Sequence, residues 1–255
     1  MKIGLKLWSE NVALATKAET LYRDGVIDLI ELYVVPGSLA TVEQWTQLTV
    51  PYMIHCPHTA HGFNLAKPNL RAANAEKFSE AEQFADRLSA TVIVTHGGSQ
   101  GELGEAISQA ASLNSPRFYI ENQPMVGLSG GLCHGNSPAE IKQFLSKGEA
   151  AGFVLDFGHA TCAANSKGID PFNYIQQFMV LQPEVFHIGD GYSTSEKDHH
   201  LDFGDGDFDI ARLLDFVPQT ATLTIETPTD LSKGLKDFQR NADVLRNILH
   251  RARID

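Results

Sequence analysis

Residues 78–96, FSEAEQFADRLSATVIVTH, decide the fold. Phe78, Ala81, Ala85 and Leu88 recur at spacings of three and four, the stripe of a helix with one buried face. A short β-rich run, Thr91 to Thr95, follows at once and ends on His96. A helix feeding a strand whose last position is a metal-ligating residue is one unit of a repeating pattern. Seven further β-rich runs occur outside this stretch, at Lys2 to Trp8, Asp28 to Val35, Tyr52 to Cys56, Arg117 to Glu121, Phe153 to Asp156, Val185 to Ile188 and Thr222 to Ile225. The C-terminal segment repeats the helical stripe with Leu235, Phe238, Ala242, Leu245 and Ile248. Asn136-Ser137-Pro138 and Asp170-Pro171 supply helix entries, a capping side chain followed by proline in the first turn. Strands alternating with helices imply parallel pairing through crossovers. Eight such units in 255 residues predict an α/β fold, a (β/α)8 TIM barrel, as a single domain over 1–255. Active-site residues are then expected at the C-terminal ends of the strands.

Composition bounds the rest. Lys and Arg number 20 against 31 Asp and Glu, a net charge of −11, and 43% of residues are hydrophobic, which excludes a disordered or fibrous chain. The acidic balance disfavours non-specific nucleic-acid binding, which depends on Lys and Arg at phosphates. No run approaches the roughly 18 apolar residues of a membrane helix, and the expected location is cytoplasmic. Cys56, Cys133 and Cys162 are odd in number and widely spaced, which gives neither a disulfide framework nor a zinc ribbon.

The strand ends are chemically one-sided. They read Ile54-His55-Cys56-Pro57-His58, Val94-Thr95-His96, Tyr119-Ile120-Glu121-Asn122, Leu155-Asp156-Phe157-Gly158-His159, Phe186-His187-Ile188-Gly189-Asp190 and Thr224-Ile225-Glu226-Thr227-Pro228. A barrel brings these ends onto one rim, where so many imidazoles and carboxylates are costly unless cations neutralise them. Mixed imidazole and carboxylate ligands suit zinc, manganese or iron. Asp198-His199-His200, in the long loop after the seventh strand, can add a carboxylate and an imidazole to one metal. Taken singly, each strand-end histidine reads as a hydrogen-bonded loop residue; the joint occurrence on six strands is what points to metal. Asp202, Asp205, Asp207 and Asp209 lack the spacing of a calcium loop. His134 beside Cys133 reads as a lid or substrate contact, and His250 as solvated. Asn122 and Asp190 are candidates for orienting the ligands.

In these motifs the chain resembles the endonuclease IV family, AP endonuclease family 2, within the xylose isomerase-like barrels. The matching segments are Pro57-His58 with Asn64-Leu65, Thr95-His96-Gly97-Gly98-Ser99, Ile120-Glu121-Asn122, Leu155 to Ala160, Phe186-His187, Asp198-His199-His200 with Gly204-Asp205-Gly206, and Ile225-Glu226-Thr227-Pro228. The resemblance implies up to three zinc ions, with manganese as a substitute. His58 and His96 would hold the first, with Glu121 bridging to the second. Asp156, His187 and Glu226 would complete the second, and His159, Asp198 and His200 would hold the third. Glu121, Glu226 and Asp156 carry the catalytic roles in this reading. His55 competes with His58, whose spacing to Asn64 favours it.

Such a cluster suits hydrolysis of a phosphodiester, with damaged DNA as one substrate class, and needs no side-chain nucleophile. The chain departs from the family in the DNA-wedging region, Thr59-Ala60-His61-Gly62-Phe63, where Gly62 cannot wedge and Phe63 is the candidate, and in an arginine-free loop from Val34 to Ala40. The DNA-reading apparatus is thus reduced while the ligand set is complete. The alternative is a sugar or sugar-phosphate isomerase or epimerase with one divalent metal on Glu121, Asp156, His187 and Glu226. Residues 123–131 contain no carboxylate for its acid–base pair, and it does not require His96 or Asp198 with His200, so the hydrolase reading ranks first. A non-catalytic metal-binding barrel ranks below both, because a closed structural site needs only about four ligands.

Overall fold

The computed structural model describes residues 1–128, 130–228 and 233–251. Eight strands, β1 Lys2–Trp8, β2 Leu29–Tyr33, β3 Tyr52–His55, β4 Ile93–His96, β5 Phe118–Glu121, β6 Gly152–Asp156, β7 Val185–Ile188 and β8 Thr222–Ile225, follow one another around a closed barrel. Every pairing is parallel, including β1 with β8, which closes the sheet. The helices are α1 Ala15–Arg23, α2 Val42–Trp45, α3 Arg71–Leu88, α4 Leu103–Leu113, α5 Pro138–Ser146, α6 Phe157–Lys167, α7 Pro171–Met179, α8 Ile210–Leu214 and α9 Lys236–Arg251. The expected (β/α)8 barrel is what forms. Strand ends shift by one or two residues from the β-rich runs, because pairing stops where the neighbour does. The helical stripe ending at Leu88 begins earlier than its apolar residues, at Arg71.

Both entry signals cap their helices. Ser137 accepts from the Glu140 amide to start α5, and Asp170 accepts from the Asn173 amide to start α7. No helix of the described residues is long and apolar enough to cross a membrane.

Strand geometry positions the site. Side chains alternate across a strand, so residues two apart share the inner face. Leu29, Met53, Val94, Val154 and Val185 form a buried apolar layer inside the barrel. Two residues further along the same strands stand Glu31, His55, His96, Asp156 and His187, so the apolar layer is the floor of an ionisable one. The opposite faces of the strands pack against the helices in the main core, where Trp45, Phe84, Phe144, Phe157 and Phe186 are fully buried.

Gly4 on β1 makes room for this layer. A Cβ there would lie 2.7 Å from the Thr224 hydroxyl, which donates to Glu31 at 2.7 Å. Gly4→Ala is expected to push that hydroxyl away and to destabilise the fold by about 1–3 kcal/mol, read from the midpoint of denaturant unfolding. An unchanged midpoint would show that Thr224 shifts without cost.

Candidate metal centre

The side chains at the C-terminal mouth fall into overlapping groups whose ligand atoms lie within 4.8 Å of one another. His55, His96 and Glu121 form one, Asp156, His187 and Glu226 another, and His159, Asp198 and His200 a third. Glu121 also joins Asp156 and His159, and Glu31 joins His55 and Glu226. Eight of the sequence-predicted residues, His96, Glu121, Asp156, His159, His187, Asp198, His200 and Glu226, are thus brought together.

His58, which the spacing to Asn64 favours, stands outside these groups. Strand parity explains the difference: His55 is the last residue of β3 and points inward, above Met53. His58 lies in the loop beyond, where its Nδ1 accepts the Ala60 amide and its ring stacks on His96 at 5.7 Å. Burial, with His96, His55 and His61 adding to it, pushes its pKa down to about 3, so it stands neutral.

Imidazole orientation is the most informative feature. His55 donates Nδ1–H to the Cys56 carbonyl and turns Nε2 toward Glu121 Oε2 at 3.3 Å. His159 turns Nδ1–H to the Asn122 carbonyl at 2.9 Å, with Glu121 Oε1 also 3.0 Å from that nitrogen, and faces Asp198 Oδ2 through Nε2 at 3.3 Å. His200 donates Nδ1–H to the Glu226 carbonyl and presents Nε2 to the same Asp198 oxygen at 2.9 Å. His187 donates Nε2–H to Glu31, leaving Nδ1 2.9 Å from Glu226 Oε1. In each case one ring nitrogen is tied off by an acceptor and the other confronts a carboxylate oxygen. Such a face-off of lone pairs needs a proton or a cation between the atoms. Glu121 Oε1, His187 Nδ1 and Asp198 Oδ2 are buried and lack a hydrogen-bond partner. The donor set, imidazole nitrogens and carboxylate oxygens, fits zinc or a similar divalent ion.

In the absence of metal, protons compensate. Burial disfavours charge on His159 and His187, yet the carboxylates around them, Asp156, Asp198 and Glu121 for the first and Glu226, Glu31 and Glu121 for the second, raise both well above an ordinary histidine. His200 is raised to about 9, chiefly by Asp198 against the effect of burial. Burial pushes Asp156 up to about 6, with His159 opposing and Asp198, Glu121 and Glu226 adding to it.

Local structure sets these geometries. Asp156 ends β6 and caps α6, its Oδ1 accepting the His159 amide, so the first turn of the helix delivers His159 to the rim. Asn122 clamps both: its amide bridges the Asp156 backbone through 2.7 and 2.9 Å bonds, and its carbonyl holds the His159 ring. Asp190, also buried, accepts four backbone amides, those of Gly191, Gly204, Gly206 and Phe208, and its backbone pairs with Leu201. This ties down the loop carrying Asp198 and His200. His200 itself sits at φ +47, a left-handed conformation uncommon outside glycine.

Two charged residues at the rim escape the sequence reading. Glu31 on β2 is fully buried and accepts from Lys6, His187 and Thr224. Lys6 on β1 bridges Glu31 and Glu226. Burial opposes its charge, but Glu226, Glu31 and Glu121 outweigh that and hold it above the usual lysine range. The available signal was a charged residue inside an apolar strand run at the parity of the inner face.

Other candidates take structural roles. Asp202 holds Asn241 and Arg240, Asp207 accepts from Ser193, and Asp209 caps α8. His134 is tied to the Gly101 carbonyl, and His250 is exposed on α9.

A cavity of about 640 Å³ opens above the cluster. Its walls include Trp8, 45% exposed and tilted against Tyr33, and the loop paired at Val126 and Leu132, with Leu128 78% exposed. Phe63 is only 1% exposed, so it does not protrude as a wedge. A larger hollow of about 990 Å³, at the opposite end around Lys2, Asp28, Tyr52 and Glu184, holds none of the clustered groups. Chemistry in TIM barrels resides at the C-terminal face, where the smaller cavity lies.

Among solved structures, a D-tagatose 3-epimerase-like protein is similar at 18% identity with a TM-score of 0.76, covering 100% of both chains. Endonuclease IV from Thermus thermophilus is similar at 18% identity and a TM-score of 0.73, covering 98% of this chain and 100% of its own. AP endonuclease, family 2, from Brucella melitensis follows at 13% identity and a TM-score of 0.65, covering 94% and 98%. These likenesses show the fold. A search of curated proteins finds no significant match. Residues 40–248, from the helix after β2 to the helix after β8, match the family described as xylose isomerase-like TIM barrel, and the closed parallel barrel agrees; the chain belongs to that family.

Proposed function

We propose that the protein is a metal-dependent hydrolase that cleaves a small phosphodiester at a multinuclear centre. The observation that carries this reading is the set of imidazole nitrogens facing carboxylate oxygens across three adjacent ligand groups, more donors than one ion can use. In this reading His55, His96 and Glu121 hold one ion, Asp156, His187 and Glu226 with Glu121 a second, and His159, Asp198 and His200 a third. His55 here takes the place of His58, which instead walls the cavity beside His96. Zinc is the expected metal, with manganese able to replace it.

Divalent ions held there would supply Lewis-acid charge and a nucleophile at neutral pH, which phosphoester hydrolysis requires. The chain's own residues do the rest. Glu31 fixes the ring of His187, Asn122 that of His159, and Asp190 the loop bearing His200, so the donors converge without reorganising. Trp8 and Leu128 line the apolar part of the cavity wall, against which a substrate can pack. Among its described lining residues, Lys6 is the only Lys or Arg, a sparse supply of cations for a DNA backbone entering the cavity. A small substrate therefore fits better than a duplex.

Plasma mass spectrometry on protein purified without chelator or added metal tests the reading. Two or three ions per chain, with cleavage of a chromogenic phosphodiester, are expected. A single ion with no gain on soaking, together with turnover of a sugar or sugar phosphate, would replace it with the isomerase or epimerase reading on Glu121, Asp156, His187 and Glu226.

Metal loading is expected to release protons. His159, His187 and His200 are protonated near neutral pH in the metal-free protein, so each must lose a proton to bind. Affinity should therefore rise with pH toward about 9, the value for His200. Calorimetry in buffers of different ionisation enthalpy reads the protons directly. Loading without proton release would mean that these imidazoles are not ligands.

A further inference from the structure

Among the described residues lining the mouth, Lys6 is the one lysine or arginine, set among carboxylates and imidazoles. Strand parity sets this side chain on the inner face of β1, between Gly4 below and Trp8 above. Its Nζ lies 2.8 Å from Glu31 Oε1 and also bonds Glu226 Oε1, while 17% of the side chain remains open to the cavity. An ammonium carries three protons, and these two carboxylates account for two of them. Glu31 is already served by His187 and Thr224 as well.

A buried Lys–Glu pair is an expensive way to join two strands, since an apolar pair of the same volume is often as stable. Its placement is informative: the ammonium touches Glu226, one of the residues of the metal-binding groups, and faces the space a substrate must enter.

We propose that Lys6 is a substrate-binding residue whose ammonium grips an anionic oxygen of the reacting group beside the metal ligands. The identity of that group as phosphoryl rests on the hydrolase reading. Glu31 then has two tasks, orienting His187 and holding the Lys6 stem so that its charge stays at the cavity.

The probe is inorganic phosphate, titrated by calorimetry into the metal-loaded protein, with metal content measured on each sample. Lys6→Met is expected to keep its metal and to weaken phosphate binding by about 10- to 100-fold, the loss of one charge-assisted hydrogen bond. Lys6→Arg should stay within a few-fold of the parent. Because Lys6→Met leaves Glu31 without its ammonium, Lys6→Gln, whose neutral amide can still donate to Glu31, guards against misfolding while leaving the support of His187 intact. It should show the same loss. Unchanged phosphate affinity in both variants, a fall in metal content that parallels the loss, or no phosphate binding by the parent would overturn the proposal. Lys6-dependent phosphate binding in a protein that hydrolyses no phosphoester would uphold it and overturn the hydrolase reading.

Discussion

In the proposed hydrolase, Glu121→Ala is expected to strip most of the metal from the centre and to lower phosphodiester turnover by about 10³-fold. Among the described residues, no other side chain reaches so many imidazoles. Its Oε2 faces His55 at 3.3 Å and His96 at 3.1 Å, while Oε1 faces His159 at 3.0 Å and His187 at 3.7 Å. Removing it leaves two groups without their shared oxygens and subtracts one negative charge from the field that attracts cations. The metal-free fold should suffer as well, because, against the effect of burial, His96, His187 and His159 hold the Glu121 carboxyl well below the usual carboxylate range, and its loss leaves them with less compensating charge. The decisive readout is the thermal midpoint with and without zinc. Binding to the native state raises the midpoint of the parent, and the variant should lose that rise. A zinc-dependent rise equal to the parent's would show that Glu121 does not hold the ions.

Asp190→Ala should act through the loop. Four backbone amides converge on this carboxylate, from Gly191 at 2.8 Å, Gly204 at 2.8 Å, Phe208 at 3.1 Å and Gly206 at 3.2 Å. Gly206 fits there because a side chain would lie 2.5 Å from the carboxylate itself. Each amide left unsatisfied costs about 1–3 kcal/mol, though the loop can relax toward water, so a net loss of about 2–4 kcal/mol is expected. The loop between Asp190 and Phe208 carries Asp198 and His200, and His200 holds an unfavourable backbone conformation that needs such support. If the proposed centre is right, one ion per chain should be lost, that assigned to His159, Asp198 and His200, while the others remain. Metal content together with a denaturant midpoint separates the two effects. Parent stoichiometry in a variant of lowered stability would mean that Asp190 serves the fold alone.

Much of the architecture is local and therefore readable from the chain. The stripe from Phe78 to Leu88, the caps at Ser137 and Asp170, and eight β-rich runs depend on periodicity and on a few backbone amides, interactions made within some four residues. Their regular alternation limits the topology to parallel crossovers, and eight of them close a barrel. Most of the imidazoles and carboxylates clustered at the rim were legible for the same reason, because a residue at the C-terminal end of a barrel strand can hardly avoid the rim.

Other features depend on which side chains meet across the barrel. His55 and His58 are three residues apart in one segment, and only the position at which β3 ends decides that His55 points inward while His58 turns back to its own loop. Glu31 and Lys6 are separated by 25 residues, and Glu226 lies 220 from Lys6, yet closure of β8 onto β1 brings all three into contact. Taken in the sequence, Glu31 is one charge in an apolar run, with nothing nearby to pair it. The sequence by itself determined the elements, their order and the ligand types at the strand ends, since those follow from local periodicity and turn chemistry. Only the tertiary structure decided which imidazole nitrogen confronts which carboxylate oxygen, because that depends on strand parity and on barrel closure, relations between residues that no short window of sequence contains.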